Sequence, residues 1–269
     1  MPPKFAAMNP EDPHDRRGAA PRRVVVINWD PAEVGLLRAI ERTHGRAQLL
    51  CVGAREPDAV ARALAGDSER PDFEYRRGEV DNRSLERFTA FLRDEIDIAR
   101  ADAVIVLPAH GRGEPDAFSR LTCAAIQRAC GDAAVPNIVV AVEDPEAAFE
   151  FAGHGVATIF YPGFLRSALM AHACVDLAVF QFLLELVERR HRVQLLPIPG
   201  SLADASFGEL CGALEEDADG RPLTILGLCR PAPHDDAPRI LLNPGPDFPL
   251  TRATGLVALS GRDDARLPG

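Results

Sequence analysis

Glycine-rich phosphate loops, paired cysteines and closely spaced histidines are all missing from this 269-residue chain. Each absence removes a class of function. A GxGxxG turn lets the backbone approach a pyrophosphate above a helix N-terminus. The corresponding turn here runs Val26-Ile27-Asn28-Trp29-Asp30-Pro31-Ala32-Glu33-Val34-Gly35, with Asn28, Asp30 and Glu33 where glycines would stand. Acidic side chains repel phosphate, and the second strand ends Cys51-Val52-Gly53 with no acid to hold a ribose hydroxyl. A tight NAD site is therefore not expected. The six cysteines (Cys51, Cys123, Cys130, Cys174, Cys211, Cys229) form no CxxC pair, and no signal-peptide pattern precedes them. They are expected to be reduced and mostly buried thiols of a cytosolic protein. The seven histidines show neither HxxxH nor HExxH spacing, and no GxSxG elbow occurs. Catalytic constellations are weak on those grounds, with no zincin motif and no α/β-hydrolase elbow.

Basic charge is also scarce: 30 Lys and Arg against 40 Asp and Glu give a net charge of −10. A nucleic-acid surface needs the opposite sign, so no nucleic-acid partner is expected. Nor is there a long uncharged apolar run. The most apolar stretch, Phe164–Val187, carries Arg166, His172, Asp176 and Glu185, each costly in hydrocarbon. It reads as a long interface helix rather than a membrane span.

What is present is an alternation of short apolar strands and helical periods. Strands are expected at Val24–Asn28, Leu49–Val52, Phe73–Tyr75, Ala103–Leu107, Ile138–Val142 and Thr158–Tyr161. Helices are expected after Val34, over Pro57–Leu64, around Leu85–Phe91, over Ala117–Cys130 and over Pro145–Phe151. Apolar strands separated by helices imply right-handed crossovers and an α/β, Rossmann-like, parallel doubly wound sheet. Beyond the long helix come short strands at Val193–Ile198, Leu223–Leu228, Ile240–Leu242 and Leu256–Leu259, with one helix near Phe207–Leu214. This is a small α+β lobe. The expected organisation is a flexible leader over 1–22, an N-lobe over 23–162, a crossover helix over 163–190 and a C-lobe over 191–269.

In open α/β sheets ligands bind at the carboxyl ends of the strands. The candidate ligand-binding residues there are Asn28, Asp30, Glu79, Asp81 and His110. Asp30 also suits a helix N-cap with Pro31 behind it, and His110 also suits a solvated loop. Glu143, Asp144 and Glu146 cluster beyond the fifth strand and are the candidate metal ligands, since calcium needs several convergent oxygens. Asp144-Pro145 reads equally as a helix cap.

The order of these features resembles the RCK family (regulator of conductance of potassium), which includes gating domains of potassium channels and TrkA-type subunits. The residues that carry the resemblance are Val24–Asp30, Arg77-Gly78-Glu79, Ala101–Val106 and Phe151–Pro162, with Ile240–Leu250 and Thr254–Ser260 in the C-lobe. Pro115–Thr122 is similar to a segment of Castor/Pollux-type channels. The resemblance implies a non-enzymatic regulatory domain of a gating ring, coupling an ion or small ligand to pore opening. It implies a homo-oligomer, a dimer or an octameric ring, held beneath a membrane pore domain or pore subunit at the cytoplasmic face. Calcium is the ion it suggests. Yet Leu107 and Ala141 stand at two positions where calcium-gated members carry acids, leaving Glu143. The alternatives are a nucleotide-responsive subunit of a Trk-type transporter and a Rossmann-type oxidoreductase. No pore helix or selectivity filter is read in the chain, so it is expected to be a cytosolic portion or a separate subunit.

Overall fold

The computed structural model describes residues 22–44, 47–80, 84–109, 111, 113–151, 153–187, 192–231, 239–261 and 267. The expected leader lies almost entirely outside them. The described residues fall into two compact units, within 20–167 and 168–269.

The first unit is built on β1 (Arg22–Ile27), β2 (Ala47–Gly53), β3 (Glu74–Arg77), β4 (Ala103–Val106), β5 (Asn137–Ala141) and β6 (Val156–Phe160). They form one sheet in the order β3-β2-β1-β4-β5-β6, with every pairing parallel. Side chains of a strand alternate between faces, so a strand covered on both sides must be apolar throughout. β1 does this: Val25 and Ile27 enter one apolar cluster, Val24 and Val26 the other. α3 (Leu85–Asp94) and α4 (Pro115–Cys130) supply Phe88, Leu92, Cys123 and Ile126 to the first cluster. α1 (Val34–His44) and α2 (Pro57–Ala63) supply Leu37, Ile40 and Val60 to the second. This is the doubly wound sheet that the alternation predicts.

The helix expected over Pro145–Phe151 is present as a 3-10 helix. Its start is pinned by Asp144, whose Oδ1 accepts from Glu146 N at 2.9 Å while its carbonyl accepts from Ala147 N at 3.1 Å. The crossover segment runs as two helices, α5 (Pro162–Val175) and α6 (Leu177–Val187). Asp176 divides them because its Oδ1 accepts from Ala178 N and Val179 N, both at 3.1 Å. A carboxylate that caps the following turn starts a new helix.

In the second unit β7 (Arg192–Leu196), β8 (Leu223–Arg230), β9 (Arg239–Leu242) and β10 (Gly255–Ser260) form an antiparallel sheet in the order β7-β10-β8-β9. α7 (Phe207–Ala213) covers one face, burying Phe207 and Leu210 against Leu196, Leu228 and Leu256. A reciprocal Ser206–Glu209 capping box fixes its start.

One close approach positions everything at the carboxyl edge of the large sheet. A Cβ on Gly53 would lie 2.2 Å from the Trp29 carbonyl oxygen, so β2 must end in glycine for the chain leaving β1 to pass over it. Gly53→Ala is expected to lower unfolding stability by at least about 2 kcal/mol, a backbone clash having no flexible side chain to yield. Unchanged denaturant midpoints would show that the two segments do not cross in this way.

Candidate functional site

The strand order reverses between β1 and β4, and the crevice beyond their carboxyl ends is where such sheets take ligands. Here the chain bridges that crevice itself. Asn28, at φ 61°, turns its side chain so that Nδ2 donates to the Leu107 carbonyl at 2.9 Å. Asparagine tolerates this left-handed backbone better than most residues. Leu107 N in turn donates to the Ile27 carbonyl at 3.0 Å.

The next residue, Trp29, is 2 % exposed and tilts against Phe73 and Tyr75, with centroids 5.0 and 6.0 Å away. Its backbone N donates to the Val52 carbonyl at 2.9 Å, tying the turn to β2. Asp30 Oδ1 then accepts from Ala32 N at 3.0 Å, and its Oδ2 accepts from Arg55 Nε at 2.6 Å. The N-cap reading of Asp30 is met by the first of these bonds. Arg55 is held by its own carbonyl, which accepts from the Tyr75 hydroxyl at 2.8 Å. Burial raises the Tyr75 pKa above its usual value, so the phenol remains a donor at neutral pH. The Asp30–Arg55 pair is partly exposed and contributes less than about 1 kcal/mol to folding.

These residues leave little room. Asn28, Trp29, Asp30, Arg55, Glu79 and Ala109 line a cavity of about 80 Å³. Pockets for small organic ligands span roughly 300–1,000 Å³. The structure thus brings Asn28, Asp30 and Glu79 together as the sequence suggests, while Asp81 and His110 lie outside the described residues.

Glu143, Asp144 and Glu146 line a separate, wider cleft of about 560 Å³, together with Glu114, Asp116 and Arg120. Much of its acidity is already committed to the backbone. Asp116, at the start of α4, accepts from Glu143 N at 3.0 Å and Asp144 N at 2.9 Å, while Asp144 holds the 3-10 turn described above. Arg120 pairs with Glu150. Among the described residues no three His, Cys, Asp or Glu side chains are grouped to hold a metal ion. Leu107 and Ala141 are buried in an apolar cluster. As placed within one chain, the donor set does not fit a calcium cage of six to eight oxygens, roughly.

Sequence reasoning passed over Arg55, Tyr75 and Asp116. A basic residue two positions beyond the second strand, where a ribose-binding acid usually stands, was a readable signal for Arg55. Nothing local distinguishes Asp116 from an ordinary first-turn acid, because its partners are 27 and 28 residues away.

Against known proteins, no family model and no curated sequence matches the chain. Among solved structures it is similar to the human SLO3 gating ring, at 18 % identity over 90 % of this chain and 48 % of that one, with a TM-score of 0.62. It is also similar to the GsuK RCK domain, at 16 % identity over 90 % of this chain and 45 % of that one, with a TM-score of 0.40. The GsuK channel bound to NAD matches at 15 % identity over 90 % of this chain and 37 % of that one, with a TM-score of 0.39. The chain spans about half the length, or less, of these solved chains. The fold is the one seen in the human SLO3 gating ring.

Two measurements check this geometry. Asp116→Ala strands two backbone N–H groups and is expected to lower stability by about 1–3 kcal/mol, with Asp116→Asn losing less. Calorimetry with NADH is expected to show no micromolar binding, because the crevice is filled by Asn28, Trp29 and the Asp30–Arg55 pair. A micromolar constant would mean that the crevice opens.

Proposed function

We propose that this chain is a regulatory module of the gating-ring kind, acting without catalysis and coupling ion or small-ligand binding to the opening of a potassium channel pore. The observation that carries the proposal is the apolar surface of α5 and α6, which follow directly on the large sheet. Phe164 is 71 % exposed, Met170 63 %, Leu177 60 % and Phe182 44 %. No helix among the described residues is long and apolar enough to cross a membrane. A second copy of the chain would cover this surface, since burying it removes apolar area from water at about 25 cal/mol per Å². The fold shared with the human SLO3 gating ring supports the same reading, as does a crevice too small for a dinucleotide.

Within such an assembly a ligand acts by favouring one arrangement of copies over another, and differential affinity is the only lever it has. The module lies at the cytoplasmic face, beneath a pore domain or pore subunit. In the ion-sensing form of the proposal, Glu143, Asp144 and Glu146 contribute oxygens that a neighbouring copy completes, because one chain alone does not close a cage.

The test follows from that division of labour. The wild-type chain is expected to run as a dimer or larger ring in light scattering, and Met170→Asp or Phe182→Asp to shift it to monomer by placing a charge in an apolar interface. Millimolar calcium should raise the melting temperature of the assembly but not of the Met170→Asp monomer, and Glu143→Gln should remove the rise. An unresponsive assembly discards calcium and leaves a small ligand. A wild-type monomer discards the gating-ring reading.

A further inference from the structure

Two arginines of the second unit stand opposite one another with no carboxylate to balance them. Arg230 closes β8 and Arg239 opens β9, and they are direct partners in the antiparallel register. Residues so paired point to the same face, with Cα atoms roughly 4.5–5.5 Å apart. It is the face on which Leu228, two residues earlier, packs with Phe207 and Leu210 of α7. Like charges directly opposite destabilise a sheet, yet among the described residues neither guanidinium joins an ion pair. Arg230 is held in place all the same. Its guanidinium carbon lies 5.7 Å from the Phe248 ring centroid, and the Phe248 carbonyl is fixed by accepting from Phe207 N at 2.8 Å. Arg230 Nε is shut off from water with no acceptor, so this charge is partly desolvated as well as uncompensated. An anion relieves both conditions. We infer that Arg230 and Arg239 form an anion site for a phosphate group.

Two cationic forks on one face suit an anion with two charges and several oxygens. A carboxylate brings one charge and two oxygens in a plane. A phosphate dianion brings two charges and enough oxygens for both guanidiniums, whose forked donors match it well. Bound there, it bridges β8 to β9, the outermost strand of the small sheet, and cancels the repulsion built into the register. The same chemistry takes a free phosphate ion or the phosphate of a monoester. The site uses no residue of the large sheet or of α5 and α6, so it goes beyond the gating-ring proposal and stands or falls separately from it.

Calorimetry on the full chain, with inorganic phosphate, glycerol phosphate and acetate as probes, tests this. Phosphate is expected to bind in the millimolar range or tighter and to raise the melting temperature of the wild type. Arg239→Gln, at an exposed edge position, should bind at least about tenfold more weakly, the order of one charge contact at a protein surface. In phosphate-free buffer the same variant should melt no lower than the wild type, because it removes the like-charge pair. Arg230→Lys keeps the charge but loses the fork and should also bind more weakly, while Arg128→Ala, an exposed arginine of α4, should bind as the wild type does. Equal affinity for glycerol phosphate assigns the site to phosphate groups in general, and a preference for inorganic phosphate assigns it to the free ion. Acetate binding as tightly as phosphate overturns the proposal, as does the absence of phosphate binding, or binding that Arg239→Gln leaves unchanged. Binding that appears only after Asp235 and Asp236, in the connection between the two strands, are changed to asparagine also overturns it, since those carboxylates would then be the partners of the arginines.

Discussion

The passage of Trp29 over Gly53 is the contact on which the carboxyl edge of the large sheet depends. With the Trp29 carbonyl 2.2 Å from where a Cβ would stand, the chain leaving β1 cannot take the path of an open phosphate loop. It is drawn towards β2, its N–H satisfied by Val52 and its indole buried beside Phe73 and Tyr75. Asp30 then meets Arg55, and Asn28, left in a left-handed conformation, closes onto Leu107. A single close backbone approach converts a ligand crevice into a packed edge.

That edge separates two uses of one architecture. A dinucleotide enzyme needs small residues and a vacant turn where β1 ends, so that backbone donors can meet pyrophosphate. Here the same positions carry an amide and a carboxylate that the protein itself hydrogen-bonds, and an indole packed against Phe73 and Tyr75. The acidic cleft beyond β5 follows the same logic, with Asp116 and Asp144 spending their oxygens on backbone N–H groups. The largest unspent feature is apolar: the exposed side chains of α5 and α6.

The layered sheet was legible because parallel strands buried on both faces must be continuously apolar, and segments such as Val24–Ile27 and Ala103–Val106 leave no other reading. Helix caps at Asp30 and Asp144 were legible for a local reason, since capping is decided within three residues. The division of the crossover at Asp176 could have been found by the same rule but was hidden by the apolar run on either side. What the sequence did not disclose was long-range pairing. Arg55 with Asp30 and Asp116 with Glu143 are separated by 25 and 27 residues, and only the fold brings them together. Asp81 and His110, singled out from the sequence, lie outside the described residues.

If α5 and α6 are an assembly surface, amide hydrogen exchange across a dilution series reveals it. Helices covered by a second copy are protected in proportion to the assembled fraction, while amides inside the parallel sheet answer to the stability of their own unit. Protection over residues 162–187 is expected to fall as the protein is diluted through the micromolar range, with β1, β4 and β5 unchanged. Protection in those helices that stays constant from high to low concentration would contradict it.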